Sequence, residues 1–153
     1  MSKEKLESLF QQIKSGEEDK VIEILTSEPY LINEVDVDGC GPIHVCASSG
    51  QNKILQILVE KFNANVNQCT EYFNTPIHTA AKYGKIDTML ELKQLGADLT
   101  LENRMHETVV DFLQHYHIKI PISQYHQMFD DMPDLIEPEN HSIKISGDVI
   151  EVC

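Results

Sequence analysis

The sequence predicts an all-α solenoid of stacked helix–turn–helix repeats, followed by a C-terminal extension. Two ten-residue strings predict it, one ending at Gly50 and a similar one, Thr75-Pro-Ile-His-Thr-Ala-Ala-Lys-Tyr-Gly84, 34 residues later. A third glycine, Gly16, lies the same 34 residues before Gly50. Apolar residues stand five and eight positions after each of these glycines. That spacing predicts one apolar helical stripe repeated along a stack of similar units.

The two strings, whose common core is Pro-Ile-His, resemble the Thr-Pro-Leu-His-x-Ala signature of ankyrin repeats. Pro42 and Pro76 stand in the first helical turn, where a missing backbone N–H costs nothing. His44 and His78 occupy the histidine position of the repeat, and we expect them to tie the turn together by hydrogen bonds. The resemblance implies an ankyrin solenoid in which short β-hairpin fingers precede the helix pairs.

Residues 1–120 are expected to form the repeat domain, with repeats at about 3–33, 34–67, 68–100 and 101–120. The first repeat lacks the Pro-x-His turn, as terminal repeats often do. The second and third match the family pattern best. In the fourth, Val109 replaces Pro and Asp111 replaces His, and no clear second helix follows at the usual place.

The remainder of the chain is expected to close the open end of the stack. Residues 118–122 look extended, and residues 121–132 are expected to hold a capping helix with Ser123 as its N-cap. Residues 133–153 form an acidic, partly flexible tail. Within it, residues 143–145 and 149–152 alternate like strands around Ser146-Gly147-Asp148, which indicates a short hairpin.

Composition limits the classes of partner. The formal net charge is −13, which disfavours direct contact with nucleic acid phosphates and favours a protein with a basic surface. The alternative is that the acidity only keeps the protein soluble. The charged N-terminus does not read as a signal peptide, and no apolar run is long enough for a membrane span.

The four cysteines, Cys40, Cys46, Cys69 and Cys153, show no Cys-x-x-Cys spacing. Cys46 stands at a position where ankyrin repeats usually have Ala, which suggests that its side chain is buried. These features predict reduced thiols in an intracellular protein, cytoplasmic or nuclear.

Catalytic and cofactor motifs are absent from the sequence. It contains no phosphate-binding glycine loop and no Gly-x-Ser-x-Gly nucleophile elbow. The pair His115 and His117 could supply two metal ligands, but zinc sites usually need four at recognisable spacing. We therefore expect a protein that is not an enzyme, with no cofactor, no metal and no small-molecule substrate.

In ankyrin repeats, the finger tips and the exposed side of the first helices form a concave face that binds proteins. Carried over position by position, this resemblance predicts the partner-binding residues Asp38, Cys40, Ser48, Ser49, Glu71, Tyr72, Asn74, Lys82, Tyr83, Arg104, Met105 and Tyr116. The other concave positions are Lys14, Ser15, Val37, Glu107 and His115.

The third finger departs from the family pattern. Phe73 stands where the turn usually has Gly, and Thr70 where it has Asp. These changes are expected to bring Tyr72, Phe73 and Tyr83 close together, as exposed anchors for a partner. The alternative is that Phe73 tucks under the finger and the tyrosines only cover methylene groups.

The resemblance implies a non-catalytic protein–protein interaction module that acts as an adaptor, inhibitor or complex subunit. Two alternatives remain from the tail: a structural subunit docked through its C-terminal strands, and an inhibitor that masks a basic signal on a transcription factor. A third is a metal protein or enzyme that uses the C-terminal histidines.

Overall fold

The structure is a computed structural model that describes residues 2–132 and 142–153. In these residues the helices are α1 Ser2–Lys14, α2 Glu18–Ser27, a short 3-10 helix Pro29–Asn33, α3 Pro42–Ser49, α4 Asn52–Glu60, α5 Pro76–Lys82, α6 Ile86–Gln94, α7 Val109–His115 and α8 Ile122–Phe129. The strands are β1 Lys119–Pro121, β2 Ile143–Ser146 and β3 Val149–Val152.

The helices stack in two rows around one continuous core. The inner row is α1, α3, α5 and α7, and the outer row is α2, α4, α6 and α8, each helix packing on the next in its row. Val21, Leu55 and Met89, which stand five residues after their glycines, are fully buried in this core. The repeated apolar stripe therefore packs as the sequence predicts.

The three spaced glycines end inner helices in the left-handed conformation. Gly16, Gly50 and Gly84 have φ angles of 73°, 69° and 68°, which residues with a Cβ adopt at a cost. Each backbone N–H bonds to a carbonyl of the preceding turn, for example Gly84 N–H to Ala81 O at 3.1 Å. The chain then turns sharply into the outer helix.

The fourth repeat has an outer helix after all, reached through a strand. α7 leads into β1, and α8 then packs beside α6 in the outer row. The Lys93 ammonium of α6 donates to the carbonyls of Gln127 and Met128, at 3.2 and 2.6 Å, at the C-terminal end of α8. The prediction that Ser123 caps α8 is wrong: the helix begins at Ile122, directly after Pro121, so Ser123 already lies in its first turn.

A three-stranded antiparallel sheet of order β1-β3-β2 covers the far side of α7 and α8. β1 pairs with β3 so that Ile120 faces Ile150, and both side chains are buried. The predicted hairpin is confirmed, with Gly147 at φ 64° in its turn. The flexible segment predicted at the start of the tail, residues 133–141, lies outside the described residues.

None of the helices in the described residues is both long and apolar enough to cross a membrane.

Candidate functional site

Three hairpin fingers share one turn, which a side-chain oxygen stabilises in each case. In the second repeat Asp36 Oδ1 accepts from the N–H groups of Asp38 and Cys40, at 2.9 and 3.0 Å. The same two bonds go to Thr70 Oγ1 in the third finger and to Asn103 Oδ1 in the fourth. Thr and Asn can make this local turn as Asp does, so the third finger keeps the common form despite its unusual sequence.

The residue at each finger tip adopts a positive φ. The angle is 81° at Gly39, 62° at Phe73 and 60° at His106. Glycine adopts this conformation freely, whereas a residue with a Cβ is strained there by about 1–2 kcal/mol. The third and fourth fingers therefore hold a large side chain at their tips against a backbone cost.

His44 and His78 bind each repeat to the finger of the next. The Nδ1 atom of His78 accepts from Thr75 N–H at 3.2 Å, and its Nε2 donates to Glu107 O at 2.8 Å. His44 accepts from Gly41 N–H in the same way, and its Nε2 lies 2.9 Å from Gln68 O. The predicted structural role is confirmed. Burial lowers the pKa of both imidazoles, so the neutral, Nε2-protonated form is favoured.

Asp111 replaces this histidine in the fourth repeat and keeps only half of its function. Its Oδ2 accepts from Thr108 N–H at 2.8 Å, which is the capping bond that His78 makes in the third repeat. A carboxylate accepts hydrogen bonds but cannot donate one to a carbonyl in the finger of a further repeat, as His78 Nε2 does. The histidine links between repeats therefore stop at the fourth finger.

Arg104 joins the third and fourth fingers. Its guanidinium carbon lies 4.6 Å from the centre of the Phe73 ring, and its Nε donates to Glu71 O at 2.7 Å. Its backbone N–H donates to Tyr72 O at 3.0 Å. The Phe73 side chain is 49% exposed, so it does not tuck under the finger. Arg104 instead holds the ring at the surface.

Lys82, the last residue of α5, lies between two tyrosines that directly follow inner helices. Its Nζ is 5.6 Å from the centre of the Tyr83 ring, just after α5, and 5.9 Å from that of Tyr116, just after α7. Tyr116 also packs edge-on against Phe112 and His115. In the described residues no ring contact joins Tyr83 to Phe73. Arg104 therefore contacts the aromatic ring at the tip of the third finger, and Lys82 contacts the two tyrosines at the ends of the inner helices.

All twelve predicted partner-binding residues reach the surface, though to different degrees. Tyr72 and Tyr83 are 59% and 55% exposed, and Met105 is 76% exposed. The half-buried members are Cys40, Ser48, Ser49 and Asn74. Two of these are already bonded, since Ser48 Oγ donates to Val45 O and Asn74 Oδ1 accepts from Asn103. The exposed aromatic residues and Met105 therefore offer the larger contact area.

The predicted concave positions are balanced in charge, unlike the chain as a whole. Against a net charge of −13, they hold three cations and three acids: Lys14, Lys82, Arg104, Asp38, Glu71 and Glu107. The excess of acidic residues lies elsewhere on the molecule.

A cavity of about 540 Å³ lies beside the fourth finger and α7. It is lined by His106, Glu107, Asp111, Gln114, His115 and His117. In the described residues, no three His, Cys, Asp or Glu side chains are arranged to hold a metal ion, there or elsewhere. The carboxylate nearest His117 belongs to Glu151, at 3.5 Å from its Nδ1 on β3.

The four cysteines are free thiols. Cys46 is fully buried and donates to Gln51 O at 3.0 Å, and burial raises the pKa of its thiol. This confirms the prediction of a buried reduced residue, and its packing against the repeat core explains its position.

Sequence reasoning missed the contact between Phe73 and Arg104, and it considered Phe73 as an anchor without including it among the twelve partner-binding residues. The available indication was the position of Phe73, where the turn needs a left-handed residue. A large side chain kept there at a cost in strain indicates a surface function.

The family model for ankyrin repeats, in three copies, matches residues 9–103 of the chain. The putative E3 ubiquitin-protein ligase XBAT31 of Arabidopsis thaliana is 30% identical over 94 residues, which are 61% of this chain and 20% of that protein. The ankyrin repeat and SAM domain-containing protein 6 of Rattus norvegicus is 30% identical over 105 residues, 69% of this chain and 12% of that protein.

A putative ankyrin repeat protein of Rickettsia bellii is 31% identical over 90 residues, 56% of this chain and 13% of that protein. The chain thus spans a fifth or less of the length of these three relatives.

Proposed function

Because the chain belongs to the ankyrin-repeat family, whose repeats are generic protein–protein interaction modules, we propose that it binds a partner protein on its concave face. In this role it acts as an intracellular adaptor, inhibitor or complex subunit without catalysis of its own. The names of its relatives include a ligase and a SAM-domain protein. What this chain matches in them is the repeat segment, so no activity is carried over from them.

The observation that carries the proposal is the ordered set of exposed side chains on the third and fourth repeats. Tyr72 and Phe73 stand on a finger that is bonded to the next finger through Arg104, and Tyr83 caps the C-terminal end of α5 through its backbone N–H. Exposed aromatic residues held in place before binding lose little entropy when a partner arrives. Tyr and Arg are also the residue types most frequent at binding hot spots.

Charge favours a basic partner through its long-range effect. The net charge of −13 accelerates the approach of a basic surface, most strongly at low salt. The concave positions themselves are balanced in charge, so the final contacts rest on aromatic packing and paired charges. Free thiols at all four cysteines support a reducing compartment, the cytoplasm or nucleus.

The test compares the double variant Tyr72→Ala/Tyr83→Ala with the wild-type protein. Partners are first identified by pulldown and quantitative mass spectrometry, and the affinity is then measured by calorimetry. We expect the affinity to fall by about tenfold or more, because truncated hot-spot aromatics typically cost more than about 1 kcal/mol each. The melting temperature should stay unchanged, since both side chains are largely exposed.

The matched control is Lys53→Ala/Glu60→Ala, which alters two exposed residues of α4 in the outer row. This variant should bind as the wild type does. If the tyrosine variant keeps full affinity, or if both variants lose it equally, the concave face is not the binding surface.

The tail supports a second candidate, docking through the C-terminal strands. In the structure β3 pairs with β1 of the same chain, which leaves β2 at the edge of the sheet. A structural subunit would therefore offer β2 to its neighbour. The inhibitor that masks a basic signal would rest on acidic residues of 133–141, outside the described residues. Deletion of 133–153 removes both segments, so it separates binding through the tail from binding on the concave face: loss of assembly with an intact repeat fold would favour the tail.

A further inference from the structure

Within residues 2–132 and 142–153, the outer strand of the sheet, β2, pairs on one side only and leaves backbone groups on its other side without a partner. Ser142 and Cys153 exchange backbone hydrogen bonds, 3.2 Å from Ser142 N to Cys153 O and 2.7 Å in return. In an antiparallel pair such bonded positions alternate along the strand. Lys144 and Ser146 are therefore the bonded positions of β2, opposite Glu151 and Val149. The N–H and C=O groups of Ile143 and Ile145 point to the open edge.

The side chains of β2 divide the strand into an apolar and a cationic face. Ile143 pairs with Val152 and Ile145 with Ile150, so they share the face of two buried residues. They lie beyond the core, however, and are 43% and 65% exposed. The apolar face of the sheet thus continues past the part that α7 and α8 cover.

The opposite face of the sheet carries a short row of charges. Lys119 on β1 and Lys144 on β2 both stand opposite Glu151 on the central strand. This row holds two cations and one acid, in a chain whose net charge is −13. A strand added beside β2 would meet the side chain of Lys144 on this face and the two isoleucines on the other.

From this geometry we infer that β2 accepts an additional antiparallel strand from a partner protein, in which apolar and acidic residues alternate. The apolar residues of that strand pack beside Ile143 and Ile145, and an acidic residue lies opposite Lys144. Backbone bonds to the open edge supply affinity, and the alternating side chains supply specificity. Opposite charges directly across a pair of strands stabilise it.

A second copy of this chain fits the edge less well in the register that bonds both isoleucines of each copy. A symmetric antiparallel pair that bonds Ile143 of one copy to Ile145 of the other places the two Lys144 side chains directly opposite each other. Like charges at directly opposed positions destabilise a strand pair. Since β2 lies at the C-terminal end of the stack, this surface is separate from the concave face. The inference rests on the second candidate function, docking through the C-terminal strands, and is independent of binding on the concave face.

The test uses the full chain and two synthetic seven-residue peptides, one alternating Glu with Ile or Val and the other carrying Lys in place of Glu. Binding is followed by NMR at about 150 mM salt, where general repulsion from the acidic chain is largely screened beyond about 8 Å. We expect the acidic peptide to shift the amide signals of Ile143 and Ile145 and to slow their hydrogen exchange. The lysine peptide should bind more weakly.

Two variants and their control test the contacts. Ile145→Pro removes an outward N–H without removing a bond to β3, and Ile145→Val keeps that N–H as the control. The proline variant should lose peptide binding and the valine variant should keep it. Lys144→Glu should lower the affinity for the acidic peptide by about fivefold, and this variant should bind the lysine peptide more tightly than the acidic one. The concave variant Tyr72→Ala/Tyr83→Ala should bind the acidic peptide as the wild type does.

Three results would overturn the inference. The first is no change at the Ile143 and Ile145 amides with the acidic peptide. The second is equal binding of both peptides, which would remove the role of Lys144. The third is self-association of the chain alone that Ile145→Pro abolishes in sedimentation measurements, which would assign the edge to a second copy.

Discussion

The second and third fingers have the same turn and differ at the tip. In the second, Gly39 lies so close to the next finger that an added Cβ would stand 2.6 Å from the backbone nitrogen of Glu71. In the third, Phe73 takes the same left-handed conformation with a full ring, which packs against Arg104. Each of the two accepts the same backbone bond from the finger that follows it, Asp38 O from Glu71 N–H at 3.2 Å and Tyr72 O from Arg104 N–H at 3.0 Å.

This difference distinguishes a residue that the fold requires, Gly39, from one that the fold does not require, Phe73. A glycine would satisfy the backbone of the third finger at lower cost, so the phenylalanine is not there for the turn. Its exposed ring, held by Arg104, is the feature that the second finger lacks. Strain that the fold does not require is a reason to place function at that residue.

The largest expected effect comes from giving the second finger a side chain. Gly39→Ala should lower the free energy of unfolding by about 2–4 kcal/mol, because the methyl group clashes with the third finger and the left-handed backbone is strained. Urea denaturation measures it. The control, Phe73→Ala, keeps the same positive φ without a new clash, so it should change stability far less. Equal losses in the two variants would mean that the close approach at Gly39 does not matter.

A smaller loss of stability is expected at low pH, where the histidines of the helices that follow the two fingers become protonated. Burial lowers the pKa of His44 and His78 below the unfolded value of about 6.5. The unfolded state therefore takes up protons first, and stability should be full above about pH 6.5 and fall as the pH drops through the folded pKa values. Thermal or urea unfolding measured between pH 7.5 and 5 gives the curve.

Single variants show which histidine causes this pH dependence. His78→Asn removes one titrating group and keeps a side-chain acceptor for the N-cap of α5. Asp111 accepts the corresponding bond at the N-terminus of α7. The free energy of unfolding of this variant should fall less between pH 7.5 and 5 than that of the wild type. His44→Asn should have the same effect through the second repeat. An acid loss that is identical in the wild type and both variants would place the titrating groups elsewhere.

The smallest effect on stability is expected at the third tip. Phe73→Gly removes the strain and also the ring contact with Arg104, so the free energy of unfolding should change by less than about 1 kcal/mol, in either direction. Partner affinity should nevertheless fall by about tenfold, because an anchor is lost. His106→Gly relieves the same conformation on the fourth finger and serves as the control. If Phe73→Gly binds as tightly as the wild type, the ring is not an anchor.

The repeats could be predicted from the sequence because their determinants are local. Pro76, Gly84 and the capping bond of His78 to Thr75 act within one helix and its turn, and the 34-residue period shows which residues share a role. The tip of the third finger was harder to predict, because an aromatic residue suits a core and a binding surface equally well in sequence. The contact with Arg104, which decides between them, joins two different repeats.

The sheet was only partly predictable for a related reason. The hairpin of β2 and β3 is a local pattern around Gly147, and it was found. The pairing of β3 with β1 joins Lys119 to Glu151 across the whole of α8 and the segment that follows it. No sequence pattern records that register. The open edge of β2 follows from this pairing, so it could not be inferred from the sequence either.

The sheet that closes the stack also bears on how the chain folds. The paired residues Lys119 and Glu151 are 32 apart in sequence, and the bonded fingers Asp38 and Glu71 are 33 apart. Closing the sheet therefore needs a loop of the same length as docking one repeat on the next, at a similar cost in chain entropy. Formation of the three-stranded sheet then costs about as much chain entropy as the docking of one more repeat. We therefore expect it to form without a slow long-range search.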